Sequence, residues 1–86
     1  MNLAEQFEEA TKNSKLLTSR PDNDTLLKLY SLYKQATEGD NDEPVPSNPF
    51  DFVARAKYDA WSGLSGIKKE DAMQQYIDLV ASLQNK

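Results

Sequence analysis

The segment at residues 40–49 constrains the fold of this chain more than any other feature. It contains three acidic residues and the prolines Pro44, Pro46 and Pro49, and proline lacks the backbone N–H that a helix interior needs. Its acidic spacing lacks the glycine-centred twelve-residue pattern of a calcium loop. Because helical patterns lie on both sides, the segment is predicted to be a solvated connector. Its length allows the helix after it to run parallel to the helix before it.

Apolar residues recur at helical spacing in four stretches, two on each side of this connector. The bounds predicted from capping residues and glycines are about 2–17, 22–39, 51–64 and 69–83. No strand pattern or internal repeat competes with them. The predicted fold class is all-α, a four-helix bundle with a long connector between helices 2 and 3, whose length allows these two helices to run parallel. Residues 1–86 are expected to form a single domain.

Apolar side chains cover most of the circumference of the second helix. The polar sector that remains is predicted to hold only Lys28, Ser31 and Gln35. Lys34 falls instead on the apolar arc, beside Leu27 and Tyr30. An ammonium group in such surroundings is costly to desolvate unless it meets an anion. The alternative is a boundary lysine whose stem lies along its neighbours while its head group reaches water.

The third and fourth helices raise the same question. The third is predicted to bury Val53, Ala56, Ala60, Trp61 and Leu64. Lys57 falls inside that arc, so a second lysine lies on the apolar face of a helix. Tyr76 lies in the middle of the apolar face of the fourth helix, where a buried hydroxyl needs a partner. A backbone carbonyl in the core is the ordinary partner for such a tyrosine.

The residue inventory excludes several kinds of chemistry. The chain has no cysteine and no histidine, which removes disulfides, zinc sites of the usual kind and a histidine base for its serines. Its three glycines form no phosphate loop, and a net charge of −4 argues against nucleic acid as a partner. No catalytic residue, metal or cofactor is predicted. No stretch predicts a membrane span or a secretory leader, and an intracellular, reducing compartment is compatible with this composition.

What remains is a binding site. The residues expected to converge on it are Lys15, Tyr30, Tyr33, Lys34 and Lys57. Lysine binds phosphate as a point charge, and a tyrosine ring can stack on a purine. Small residues beside large ones, with Ala56 and Ala60 near Leu27, suit an apolar groove between helices. A matching ligand carries phosphate, an aromatic base and an apolar portion, whereas a helical module for a protein partner leaves the lysines unexplained.

Blocks in the chain closely resemble the acyl-CoA-binding protein family, in the family's order and spacing. They are Tyr30-Ser31-Leu32-Tyr33-Lys34-Gln35-Ala36-Thr37 with Gly39-Asp40, Ala56-Lys57-Tyr58-Asp59-Ala60-Trp61, and Lys69-Glu70-Asp71-Ala72-Met73 with Tyr76-Ile77. The resemblance implies a four-helix bundle that carries medium- to long-chain acyl-CoA thioesters without catalysis, as an intracellular monomer active in lipid transport.

The resemblance also implies roles for single residues. Tyr30, Lys34 and Lys57 match positions that hold the 3′-phosphate region of CoA. Tyr33 matches an aromatic residue beside the adenine, and Tyr76 a tyrosine that reaches the head group of the ligand. Lys15 and Arg20 match basic positions near the site. The chain departs from the family pattern at Tyr58, where tryptophan is usual, at Val53, where a lysine is common, and at Lys68, where a serine is usual.

Overall fold

A computed structural model describes residues 1–84 of the chain, and they form four α-helices. The helices are α1 (Leu3–Ser14), α2 (Asn23–Glu38), α3 (Phe52–Ser62) and α4 (Lys69–Gln84). Within these residues the structure has no strand, and the predicted all-α fold class is confirmed. Residues 85 and 86 of the predicted domain lie outside the described part of the chain.

Side-chain caps fix the beginnings of the first three helices. Asn2 and Glu5 form a reciprocal capping box at the start of α1, as the sequence predicts. Asp22 and Asp51 accept hydrogen bonds from backbone N–H groups in the first turns of α2 and α3. Each cap satisfies a donor that has no partner inside the helix. Gly39 follows α2 with φ of 84°, a left-handed conformation that glycine adopts without steric strain.

The predicted end of α1 is wrong by one turn. The helix ends at Ser14 and not at Leu17, because the next backbone N–H groups bond three residues back and tighten the chain. Lys15 donates to Lys12 O at 3.1 Å, and Leu16 donates to Asn13 O at 3.0 Å. Such three-residue turns commonly end helices. Leu17 therefore lies in the loop before α2, although it remains half-buried.

Helices α2 and α4 form the centre of the molecule, with α1 packed on α4 and α3 packed on α2. The arrangement is flat, with Cα extents of 40 × 28 × 15 Å. Its buried core consists of Phe7, Ala10, Leu29, Leu32, Ala36, Ala72, Tyr76 and Val80. Half-buried side chains pack around this core: Leu64, Ile67, Met73, Ile77, Leu79 and Leu83. The predicted apolar face of α4 is thus found against the core.

The polar sector predicted for α2 is wrong at two of its three positions. Ser31 and Gln35 are buried, with only 3% and 0% of their surface exposed, whereas Lys28 is exposed. Because α2 packs on both α3 and α4, its smaller polar residues must face neighbours. The Ser31 hydroxyl donates to Lys28 O at 2.9 Å, and the Gln35 amide donates at 2.7 Å to Ile67 O, in the loop before α4. Bonded in this way, a polar group can be buried.

Helices α2 and α3 run parallel, as the long connector allows. Near their carboxyl ends, Trp61 Nε1 donates a hydrogen bond to Gly39 O at 2.8 Å. Near their amino ends, Leu26 of α2 and Phe52 of α3 line the same cavity. The connector is fastened to α3 as well, because the Asn41 side chain donates to Ser62 Oγ at 2.9 Å. These contacts hold two parallel helices side by side along an open groove.

Candidate ligand-binding site

An apolar cavity of about 430 Å³ lies between the amino-terminal halves of α2 and α3. Its lining consists of Arg20, Asn23, Leu26, Leu27, Tyr30, Phe52, Val53, Ala56 and Lys57. A volume of this size falls in the range of about 300–1,000 Å³ typical of small-molecule sites. Of the residues predicted for an apolar groove, Leu27 and Ala56 line the cavity and Ala60 does not.

The amino end of α3 is more open than the sequence predicts. Val53 was expected in a buried arc, but 64% of its surface is exposed, and Phe52 beside it is 74% exposed. Both residues line the groove cavity, whereas Trp61 near the other end of α3 is buried. The first half of the apolar arc of α3 therefore lines an open groove, whereas Trp61 near its end is packed.

Tyr30 and Lys57 form the polar end of the groove. The Lys57 ammonium lies over the Tyr30 ring, with Nζ 5.2 Å from the ring centroid. A cation at this distance is attracted by the negative face of the ring. Lys57 is exposed and Tyr30 half-buried, so the ammonium can still bind an anion that arrives from solvent. Tyr30 and Lys57, two of the three residues predicted to hold the phosphate region, thus lie together.

Lys34 lies one helical turn beyond Tyr30, and its side chain is only 19% exposed. Its Nζ stands 4.8 Å from the centroid of the Trp61 ring and forms an ion pair with Glu38. The hydrogen bond to Glu38 raises the pKa of Lys34 above its usual value, although burial opposes this shift. The charge on the apolar arc thus has a partner within its own helix, which the sequence analysis did not identify.

The two lysines therefore alternate with aromatic rings across the α2–α3 interface. Lys57 of α3 lies over a ring of α2, and Lys34 of α2 lies over a ring of α3. A second cavity, of about 210 Å³, adjoins this cluster and shares Tyr30 and Lys57 with the groove. Its remaining lining is Glu43, Pro44, Pro46, Ala54, Tyr58 and Trp61. The connector is thus part of the site wall.

Tyr33 and Tyr76 form a separate aromatic cluster with Phe7 of α1. The Tyr33 ring stacks on Phe7 with centroids 5.9 Å apart, and the Tyr76 ring meets Phe7 edge-on at 5.2 Å. Tyr33 is 44% exposed, so part of its ring remains open to a stacking partner. The structure thus places both tyrosines outside the linings of both cavities between α2 and α3.

The Tyr76 hydroxyl has a different partner from the expected backbone carbonyl. It donates to the Ser14 hydroxyl of α1 at 3.1 Å, and the side chain is buried within the core. Ser14 in turn donates to Thr11 O at 2.8 Å. A buried hydroxyl satisfied in this way joins α4 to α1. Contact between Tyr76 and a ligand stays a prediction.

The two basic residues from the α1–α2 region have different positions. Lys15 is exposed at the carboxyl end of α1 and lines neither cavity between α2 and α3. Arg20, the other basic position implied by the resemblance, lines the groove cavity. The sequence analysis did not assign Asn23, Leu26 or Phe52 to the groove. Leu26 could have been found from the apolar arc that it shares with Tyr30 on α2.

Two further observations bear on the kind of site. Within residues 1–84 no three carboxylate side chains are grouped so that they could hold a metal ion. None of the helices in the same part of the chain has the length and hydropathy needed to span a membrane. The groove itself combines an apolar floor with the Lys57 ammonium group beside the Tyr30 ring at one end. It has the composition of a site for an amphiphilic anion.

Comparison with known proteins identifies the family. The family model described as "Acyl CoA binding protein" matches residues 4–80. The acyl-CoA-binding protein homolog of Manduca sexta is 45% identical over 83 residues, covering 96% of this chain and 92% of that protein. The crystal structure of Oryza sativa acyl-CoA-binding protein 2 superposes with a TM-score of 0.92 at 40% identity, covering 98% and 92% of the two chains.

A relative of different length carries the same segment. Enoyl-CoA delta isomerase 2 of Rattus norvegicus is 52% identical over 79 residues, covering 92% of this chain and 20% of that protein. This chain thus spans about a fifth of the length of that relative. The family model and the homologue of similar length both match most of the region that contains the four helices and the sequence blocks quoted above. This chain belongs to the acyl-CoA-binding protein family.

Proposed function

We propose that this protein binds medium- to long-chain fatty acyl-CoA thioesters non-covalently and carries them as a lipid-transport protein. Family membership supports acyl-CoA as the ligand. The observation that supports this way of binding acyl-CoA is the groove itself, because Lys57 and Tyr30 belong to the lining of the apolar cavity. One site therefore offers a cation and an aromatic ring at one end and apolar surface along the rest.

In this proposal the 3′-phosphate region of CoA binds between Lys57 and Lys34. Both ammonium groups lie over aromatic rings at the α2–α3 interface, and the Lys34 side chain is only 19% exposed there. A phosphate there gains charge-assisted hydrogen bonds that are stronger than those between neutral groups. The Tyr30 hydroxyl adds a further donor. We assign Tyr33 to the adenine and Tyr76 to the head group of the ligand, with Lys15 at the edge of the site.

The acyl chain lies in the groove cavity in this proposal. Leu26, Leu27 and Ala56 supply its apolar wall, and the exposed rings and methyls of Phe52 and Val53 lie at its mouth. Filling the groove removes this apolar surface from water, which is favourable by about 25 cal/mol per Å². The empty protein thus exposes the surface that the ligand covers.

We further propose that the protein is a non-catalytic cytoplasmic monomer and that residues 1–86 act as one acyl-CoA-binding domain. The isomerase named among the relatives contains this segment in about a fifth of its length, and the family is one of binding proteins. The groove lining includes cations, an amide and apolar groups, and we assign a catalytic role to none of them.

Isothermal titration calorimetry with palmitoyl-CoA, free CoA and palmitate tests the proposal. Palmitoyl-CoA should bind most tightly, free CoA weakly and palmitate poorly, because a carboxylate at the end of the acyl chain cannot reach the lysines as the CoA phosphate does. Tight binding of palmitate with no binding of CoA would instead identify a fatty-acid binder. Equal affinity for CoA and palmitoyl-CoA would leave a nucleotide-binding bundle without a carrier function.

A further inference from the structure

Glu38 lies at a position where an acidic side chain does not stabilise the helix. It is the last residue of α2, and a carboxylate there opposes the negative end of the helix dipole. Its partner Lys34 precedes it by four residues, and this order is the weaker arrangement of an acid and a base on a helix. Helix stability alone therefore does not explain why an acid occupies this position.

The pair with Lys34 also differs from the ion pair between Arg55 and Asp59. Arg55 and Asp59 of α3 are both well exposed, at 59% and 57%, whereas Lys34 is 19% and Glu38 49% exposed. The Lys34 ammonium is enclosed by Trp61 on one side and by Glu38 on another. An anion that approaches this ammonium therefore meets a position that already holds the Glu38 carboxylate.

We propose that Glu38 is an internal competitor, which occupies the anion position on Lys34 in the empty protein and is displaced when the ligand's phosphate binds. This inference rests on the proposed function, because it takes a phosphate monoester as the incoming group. Such a group carries a charge of about −1.5 to −2 near neutral pH, so it attracts the ammonium more strongly than one carboxylate does. Glu38, half-exposed at the helix end, can swing into solvent.

Displacement has a measurable consequence. Any ligand that needs Lys34 must overcome the existing ion pair, so Glu38 lowers the affinity for ligands with a phosphate at this position. Ligands that leave Lys34 untouched are unaffected. Glu38 thereby sets how strongly the site responds to the 3′-phosphate, although it makes no attractive contact with the ligand.

The test measures the affinity of Glu38→Gln for palmitoyl-CoA and for palmitoyl-3′-dephospho-CoA. Glutamine keeps the size of the side chain and removes its charge. We expect palmitoyl-CoA to bind about two- to fivefold more tightly, as loss of a partly exposed competing ion pair allows, and the dephospho ligand to bind as before. Asp59→Asn, which breaks the other ion pair, is the matched control and should leave both affinities unchanged.

Three results would overturn the inference. These are unchanged binding of palmitoyl-CoA by Glu38→Gln, weaker binding, or an equal gain with both ligands. The Lys34→Ala/Glu38→Gln double variant supports it if the gain seen in Glu38→Gln alone disappears.

Adenosine 3′,5′-bisphosphate separates this inference from the proposed function. If palmitoyl-CoA does not bind but the nucleotide binds more tightly to Glu38→Gln than to the parent, the carrier function fails and the role of Glu38 stands. If palmitoyl-CoA binds the parent with high affinity and neither ligand distinguishes the two variants, the role of Glu38 fails alone. If neither ligand binds either protein, both proposals fall.

Discussion

At the scale of single residues, the site is organised by two lysines that lie over aromatic rings. Tyr30 and Trp61 each meet an ammonium from the opposite helix, at 5.2 and 4.8 Å. Each ring attracts its ammonium group electrostatically. The Lys57 side chain remains exposed to solvent, whereas the Lys34 ammonium is also paired with Glu38. Lys34 and Lys57 are therefore positioned before any ligand arrives.

The first prediction concerns Lys34→Ala. We expect palmitoyl-CoA binding to weaken by about 1.5–3 kcal/mol, or one to two decades in affinity, because a charge-assisted contact to phosphate is lost. The unfolding free energy should change little, since the partner lost within the protein is half-exposed Glu38. Calorimetry checks the affinity, with Lys28→Ala on the exposed face of α2 as the control. Unchanged affinity in Lys34→Ala would exclude this role.

Lys57→Ala should weaken binding in the same way as Lys34→Ala. If both lysines serve one phosphate, the loss in the double variant should be smaller than the sum of the two single losses. A double-mutant cycle measured with palmitoyl-CoA gives this coupling directly. Strictly additive losses would place the two lysines on separate groups of the ligand.

Tyr33→Ala separates stacking on a base from packing of the fold. If the exposed part of the ring stacks on adenine, palmitoyl-CoA binding should weaken by about 1–3 kcal/mol, while palmitoyl-pantetheine, which lacks adenine, should bind as before. The contact with Phe7 also predicts a loss of about 0.5–1.5 kcal/mol in unfolding free energy. Equal weakening with both ligands would mean that the ring supports the fold and does not contact the base.

At the scale of elements, local sequence patterns predict where helices begin and end. They do not predict burial that depends on a contact with a distant residue. The caps at Asn2 and Asp22 and the stop at Gly39 are local signals, and the structure confirms them. The burial of Gln35 depends on an acceptor at Ile67, thirty-two residues away, so no local pattern reveals it. The exposure of Val53 could not be predicted either, because an apolar residue at this spacing gives no sign that it lines an open groove.

The site shows the same division. The sequence predicts that Lys34 and Lys57 lie on apolar arcs, and the structure brings both to the α2–α3 interface. It could not predict that Tyr33 pairs with Phe7, because that contact depends on how α1 crosses the bundle. Nor did it identify Glu38 as the partner of Lys34, since acids four residues away are also common on solvated faces.

Asp40 joins the end of α2 to the loop before α4. Its Oδ1 accepts from Gly66 N and from Gln35 Nε2, each at 2.9 Å. Both bonds lower the pKa of Asp40 below its usual 3.8, and the bond from Gly66 has the larger effect. A carboxylate with a lowered folded-state pKa stabilises the fold above its unfolded-state pKa, and this contribution is lost as the pH falls through the folded value.

We therefore expect Asp40→Asn to be less stable than the parent at neutral pH. The difference should shrink once the pH falls below 3.8, where the parent's carboxylate also begins to take up its proton. Urea denaturation followed by circular dichroism across this pH range measures the difference. Asp42→Asn in the exposed connector is the control. A stability difference that does not vary with pH would show that the charge of Asp40 is not involved.

At the scale of the whole molecule, the groove predicts a dependence on acyl length. Each methylene that enters it should contribute up to about 0.8 kcal/mol. Lengthening the acyl chain by two carbons should then tighten binding by roughly 1 kcal/mol or more, near tenfold, until the groove is full. Calorimetry with a series of saturated acyl-CoA esters checks this. A flat response would mean that the acyl chain remains in solvent.

The packing order of the helices has a consequence for how cargo is held and released. Among the described helices, α3 packs on α2 alone, while α2, α4 and α1 share the buried core. We therefore expect a partial unfolding in which α3 detaches while the other helices stay folded, because proteins commonly open in such cooperative folding units. A ligand bound between α2 and α3 would close that opening. If acyl-CoA binds in this groove, amide protons of α3 should exchange faster than those of α4 without ligand and should slow most when ligand is added. Hydrogen exchange would then show that release of the ligand is coupled to the loosening of one helix.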